Sequence, residues 1–386
     1  MRELFLLDHG VVFVNHGSFG ACPIEVLEVQ QRWQREMERN PVEFLGRRSG
    51  ALLVDSRARL ASYLGARAED LIYLTNATTG VNTVARSLDL QPGDEVLTTD
   101  HEYGACDAAW EFACRRSGAR YVRVEIPLPF VAGEFADRVL AAITPRTRIV
   151  FASHIASTTG LIFPVQELCQ RVHGRGILTM IDGAHAPGHV PLELDALGAD
   201  FYAGNCHKWL CAPKGAGFLH VRPEHHGRLD GVVVSWGYCA ENEGHTGFDA
   251  YTGSTMLERR HQWQGTRDIS AFLAVPAAID FQERHRWPEV RRACHALLVE
   301  TRERVGAVTG LGPICAATDF GQMLAIALPP CNAETLRATL FERHRIEVPI
   351  TTHGGRPFVR VALQGYNTRA DVDALIAALV RELGLH

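Results

Sequence analysis

Between residues 70 and 203 short apolar runs alternate with stretches of helical period, and this alternation constrains the fold more than any other feature of the chain. Residues 70–75 (DLIYLT), 94–99 (DEVLTT), 121–125, 148–153 (RIVFAS), 177–181 and 199–203 read as strands. Residues 76–88, a stretch ending near Gly118, 135–143 and 168–173 read as the helices between them. Several strands are apolar almost without a break, as strands buried on both faces are. Such strands separated by helices predict an α/β fold, a mostly parallel sheet flanked by helices. Ligands of these sheets bind beyond the carboxyl ends of the strands. The polar residues fall there: Thr78, His101, Tyr103, Ser157, Asp182, His185, His207 and Lys208 all follow strand ends.

Outside this region, residues 11–14 (VVFV) form a short extended run that breaks at Asn15-His16-Gly17-Ser18-Phe19-Gly20, where small residues let the backbone approach a ligand. Asn15 and His16 are therefore candidate substrate contacts. Residues 24–64 have helical period interrupted at Asn40-Pro41, with FLGRR (44–48) between two helices; Arg48 with Arg47 either holds a substrate carboxylate or starts a solvated helix. Residues 269–305 read as helical with Pro276 and Pro288 as interruptions, and join a C-terminal part with strands at 323–328 and 358–363 and helices at 333–344 and 369–383.

Net charge of −5 argues against a nucleic-acid or anionic membrane surface as partner. The N-terminal stretch MRELFLLDHGVVFVNHG breaks its apolar runs at Asp8 and His9, so it has neither a signal-peptide core nor a membrane span. Ten cysteines lie scattered without a CxxC pair, which fits reduced thiols in a cytoplasm better than disulfides or a metal site. Of 39 basic residues only Lys208 and Lys214 are lysine. A guanidinium stays protonated and cannot form a Schiff base, whereas a lysine amine can. The lysine at the end of an apolar run, in His-Lys-Trp, is either such an amine or a structural cation.

The neighbouring strand ends offer a matching set of groups. Asn76-Ala77-Thr78-Thr79 opens a helix with free N–H groups and hydroxyls, the setting for a phosphate or for a plain N-cap. Asp182 emerges from an apolar strand; beside a pyridine nitrogen, its carboxylate would keep that nitrogen protonated. His185 can donate to a ring oxygen, His207 can reach a phosphate or orient the amine, and Tyr103 or His101 can stack on a flat ring. Each residue taken alone would equally serve a polar network bracing a turn.

The stretches NHGSFG, TNATTGVN, DHEYGA, SHIAST, IDGAHAPG, GNCHKW, QGTRD and RVALQGYNT, in this order over nearly the whole chain, resemble the class V aminotransferase superfamily of pyridoxal-phosphate enzymes, and within it the isopenicillin N epimerase-like branch, which includes C–S lyases. The resemblance implies a fold-type I architecture: an N-terminal active-site segment (1–22), a large domain binding pyridoxal 5'-phosphate (23–270) and a smaller C-terminal α/β domain (271–386). It also implies a homodimer with shared active sites and an amino-acid-like small-molecule substrate. Lys208 would form the Schiff base and Asp182 would partner the pyridinium nitrogen, with Ser157 and His185 at the phenolic oxygen. Ala77, Thr78, Asn205 and His207 would hold the phosphate, completed by Gly265 and Thr266 of the neighbouring subunit. Tyr103 would stack on the ring, although some relatives use a histidine that aligns with His101. Arg360 matches the arginine that grips the substrate α-carboxylate. Cysteine desulfurases of the superfamily carry a catalytic cysteine shortly before that arginine; residues 350–357 (ITTHGGRP) have none, and His353 and Arg356 on this loop either read the substrate side chain or form a plain glycine-rich loop. The reaction implied is proton removal at Cα, leading to epimerisation, β-elimination or transamination.

Overall fold

The computed structural model describes residues 1–239, 253 and 255–385. Strand β1 (Val12–Phe13) precedes the central sheet, which is built from β2 (Leu71–Leu74), β3 (Glu95–Thr99), β4 (Arg120–Val124), β5 (Thr147–Ser153), β6 (Leu178–Gly183), β7 (Phe201–Asn205) and β8 (Gly217–Val221). Their order is β2-β8-β7-β6-β5-β3-β4. Strands β4, β3, β5, β6 and β7 pair in parallel, while β8 runs antiparallel to both β7 and β2. The six strands expected from the apolar runs are all present. The seventh, β8, went unseen because GFLHV follows a glycine-rich turn and reads as a continuation of the lysine stretch; all five of its residues are buried.

The period of two sorts the strand residues onto two covered faces. Ile72, Leu74, Val96, Ile149, Phe151, Met180, Phe201 and Leu219 pack against the Ala77–Ser87 and Gly104–Ser117 helices. Leu71, Tyr73, Leu97, Val150, Ala152, Ile181, Tyr202 and Phe218 face the other way into the larger core, which holds Phe135 and Leu168 from the Ala132–Ala141 and Val165–His173 helices. Strand β4, at one edge, is the least buried of the seven. Among the described residues no helix is long and apolar enough to cross a membrane.

The helical stretch 24–64 divides into Ile24–Arg39, a short turn Pro41–Glu43, a π-helical turn Phe44–Arg48 and Ser49–Leu64. Asn40 ends the first helix and caps the next, accepting from Glu43 N–H at 3.1 Å, which is why Asn-Pro interrupts the pattern. The C-terminal part holds the long Trp287–Thr309 helix and the antiparallel strands β9 (Met323–Ala327), β11 (Ile350–His353) and β12 (Arg356–Ala362), in the order β11-β12-β9, with the Ala333–His344 and Arg369–Leu383 helices. Residues 350–357 are thus a hairpin and not the loop expected; Gly354 and Gly355, both at positive φ, make its turn. The N-terminal segment joins this part: β1 pairs in parallel with β10 (Ile346–Glu347), and Asn15 bridges to Ala362.

Candidate active site

Strands β5, β6 and β7 end side by side, and the segment 15–20 closes over them, leaving a cavity of about 230 Å3 lined by Ser18, Phe19, Thr78, Tyr103, Ser157, Asp182, His185, Asn205, His207 and Lys208 among others. The lid fits because position 20 is glycine. Gly20 has φ +72°, and a Cβ there would stand 2.3 Å from the His207 carbonyl oxygen.

Lys208 lies on the turn between β7 and β8, buried, with Nζ 3.1 Å from His185 Nε2. Burial lowers its pKa to about 8, against the pull of the Asp182 carboxylate, so the amine is partly free base near neutrality. Asp182 is fully buried at the end of β6; Oδ1 accepts from Ala184 N–H at 2.9 Å and Oδ2 from the Cys106 thiol at 3.4 Å. Burial raises its pKa, and those two donors with the nearby lysine hold it back. Beside it, buried Glu102 is pushed up to about 8 by desolvation, with Ser153 and Thr99 hydroxyls each donating to it at 2.6 Å. Cys106 and Glu102 have no polar spacing in the sequence that marks them; Cys106 reaches Asp182 because the Gly104–Ser117 helix packs on the sheet, and Glu102 comes beside it from the turn after β3.

At the other end of the cavity the Ala77–Ser87 helix begins. Asn76 caps it through Thr79 N–H at 2.8 Å, and Asn205 Oδ1 takes the Ala77 N–H at 2.8 Å. The Thr78 N–H, next in the turn, makes no hydrogen bond to the described residues. His207 turns Nδ1 to the Ala216 carbonyl at 2.9 Å, which leaves Nε2 as its second polar atom.

Arg360, on β12, is buried and holds only neutral partners in the described residues: the Ser157 carbonyl at 2.5 Å, Ser18 Oγ at 2.9 Å and Asn15 Oδ1 at 3.4 Å. Its Nε has no partner, and burial lowers its pKa to about 10. A buried guanidinium with an open nitrogen and no carboxylate partner has the chemistry to take one.

Four candidates lie elsewhere than expected. His101 does not line the cavity: its ring is buried between the Thr159 hydroxyl (3.2 Å) and the Ile126 carbonyl (2.9 Å), whereas Tyr103, half-exposed, does line it. Arg48 does not line the cavity; Glu36 at 2.6 Å and Glu43 at 3.5 Å already neutralise it. His16 is wholly buried and supports the site from behind, with Nε2 3.1 Å from the Lys208 carbonyl and Nδ1 2.8 Å from the Tyr366 hydroxyl. His353 packs against His101, ring centroids 4.0 Å apart and tilted, near Asp100, rather than lining the cavity. Gly265 and exposed Thr266 are also outside this cavity. Trp209, unremarked in the sequence beyond its place after the lysine, donates from Nε1 to His185 Nδ1 at 3.2 Å.

A buried low-pKa amine, a buried carboxylate, a helix N-terminus with a neighbouring imidazole, and an open guanidinium are the groups that pyridoxal 5'-phosphate and an amino acid require, and the orphaned Arg360 Nε fits the second. The fold and site define a pyridoxal-phosphate-dependent enzyme. The chain belongs to the class-V aminotransferase family, whose signature matches residues 20–375. It is 40% identical over 385 residues to isopenicillin N epimerase of Amycolatopsis lactamdurans, covering 98% of this chain and 96% of that protein. It is 29% identical to a probable chloroplastic L-cysteine desulfhydrase of Arabidopsis thaliana over 96% of this chain and 83% of the relative. A solved structure of a C-DES variant with glycine covalently linked to its PLP cofactor shares the fold, with a TM-score of 0.83 at 21% identity, covering 98% of each chain.

Proposed function

We propose that this enzyme removes and returns the Cα proton of an amino acid or amino-acid-containing substrate with inversion, in the manner of an isopenicillin N epimerase. What carries the reading is the 40% identity to such an enzyme along 98% of a chain whose Lys208, Asp182 and Arg360 converge on one cavity or its wall. When bound, pyridoxal phosphate supplies the electron sink that makes the Cα proton acidic. Lys208 would hold it through its amine and would serve as the base at Cα; an amine with pKa about 8 suits proton transfer near neutrality. Asp182 keeps a proton on the ring nitrogen. Thr78, Ala77, Asn205 and His207 form the phosphate end, His185 and Ser157 the phenolic-oxygen side. Arg360 grips the α-carboxylate and so fixes which Cα bond faces the lysine. Inversion needs a second acid on the opposite face, and Tyr103 is its candidate.

The site is proposed to be completed in a cytoplasmic homodimer, with Gly265 and Thr266 reaching the phosphate of the other subunit, and with an N-terminal segment (1–22), a cofactor domain (23–270) and a small domain (271–386). β-Elimination from a cysteine conjugate is the second reading, supported by the Arabidopsis relative. A cysteine-persulfide route is not proposed, because the 350–357 hairpin carries no cysteine. Incubation of isopenicillin N, amino acids and cysteine conjugates in deuterium oxide separates the outcomes. Deuterium at Cα with changed chirality is expected; pyruvate and thiol without it would replace the first reading by the second.

A further inference from the structure

Trp209 follows the lysine and is wholly buried, its ring between those of His189 (4.1 Å) and His16 (4.9 Å). An indole nitrogen can only donate a hydrogen bond. Its Nε1–H meets His185 Nδ1 at 3.2 Å, so Nδ1 carries a lone pair and the proton of the neutral imidazole sits on Nε2. Burial, and after it the charges of Lys208 and Arg360, hold His185 far below the ordinary histidine range, which keeps the ring neutral. His189 is fixed in the same way: Gln322 N–H donates to its Nε2 at 2.6 Å, so its Nδ1–H donates to the His185 carbonyl at 3.1 Å. The Nε2 proton of His185 therefore faces Lys208 Nζ at 3.1 Å. An ammonium there would set two donors against each other; a free amine accepts.

We propose that Trp209 is a positioning residue: it selects the Nε2–H tautomer of His185 and through it holds the Lys208 side chain as the free base, the form that adds to an aldehyde. The purpose of the lock rests on Lys208 being the reacting amine. The other groups facing Nζ are Asp182, which favours the ammonium, Arg360, which opposes it, and the Cys106 thiol. None of them depends on the indole.

The chain has only two lysines, so cofactor-free full-length protein grown on 13Cε-labelled lysine gives two ε-methylene signals, assigned with Lys214→Arg. The Lys208 signal is expected to titrate near 8. In Trp209→Phe, which keeps an aromatic ring and removes the donor, its midpoint should rise by about one pH unit, the tenfold that an ordinary hydrogen bond is worth. An unmoved midpoint in a variant with wild-type circular dichroism overturns the proposal. If that variant does not fold, 15N-histidine spectra of the wild type decide: an unprotonated His185 Nδ1 supports the lock, and a protonated Nδ1 overturns it. Both measurements are made without cofactor, so failure of the lock leaves the role of Lys208 untouched, and loss of that role leaves the titration readable.

Discussion

A lysine amine buried beside a buried carboxylate is held in its reactive form by a balance of opposing effects, and this makes single substitutions at the site informative. Lys208→Ala should eliminate the visible absorption band that borohydride reduces and lower turnover by at least about 10²-fold, since it removes both anchor and base. Cofactor-free wild-type protein should capture pyridoxal phosphate faster as pH rises and level off above about 8, because only the unprotonated amine adds to the aldehyde and burial places its pKa there. Stopped-flow absorbance across pH 6.5–9.5 checks the direction; a rate falling with pH would contradict it. Arg360→Lys keeps a charge and loses the fork, so KM should rise about 10- to 100-fold, the value of one charge-assisted hydrogen bond. Lys208 and Asp182 stood out in the sequence by residue type and by their place after apolar strands, and Arg360 only through the family resemblance. Trp209, Cys106 and Glu102 did not stand out, since an indole, a thiol and a buried acid acquire meaning only from what they touch.

Among the elements, the turn that opens the Ala77–Ser87 helix shows how far a pattern carries. Asn76 closes an apolar strand and opens an amphipathic helix, and both roles could be read before any contact was known. Asn76→Ala removes the acceptor for Thr79 N–H and should lower unfolding free energy by about 1 kcal/mol, measured by urea denaturation. The β11–β12 hairpin was missed although Ile350-Thr351-Thr352 is rich in β-branched residues; two adjacent glycines looked like a loop when they were the turn of a hairpin. His101 and Tyr103 sit two apart after the same strand, and only the packing of the Ile126 carbonyl against the first decides which ring faces the cavity.

At the scale of the molecule, two buried histidines, His16 and His189, and the partly buried His154 tie stability to pH. Burial depresses His16 and His189 to about 3 and His154 to about 4. Because the folded pKa values lie below the unfolded value near 6.5, the unfolded chain binds more protons, so this contribution is complete above 6.5 and is lost as pH falls towards 4. Each group should cost roughly 1.4 kcal/mol per pH unit in that window. Thermal melts between pH 7.5 and 4 should show a falling Tm, and His189→Gln should flatten the slope; a Tm constant over that range would remove the histidines from this role.

Strand β8 lies between β7 and β2, so the strand leading into Asn76 is attached to the rest of the sheet by a segment that follows Lys208. A chain that has not yet emerged past Gly217 lacks the strand that pairs with β2. The turn proposed to hold the phosphate and the amine proposed to hold the aldehyde are thus joined through a strand that comes after both in the chain.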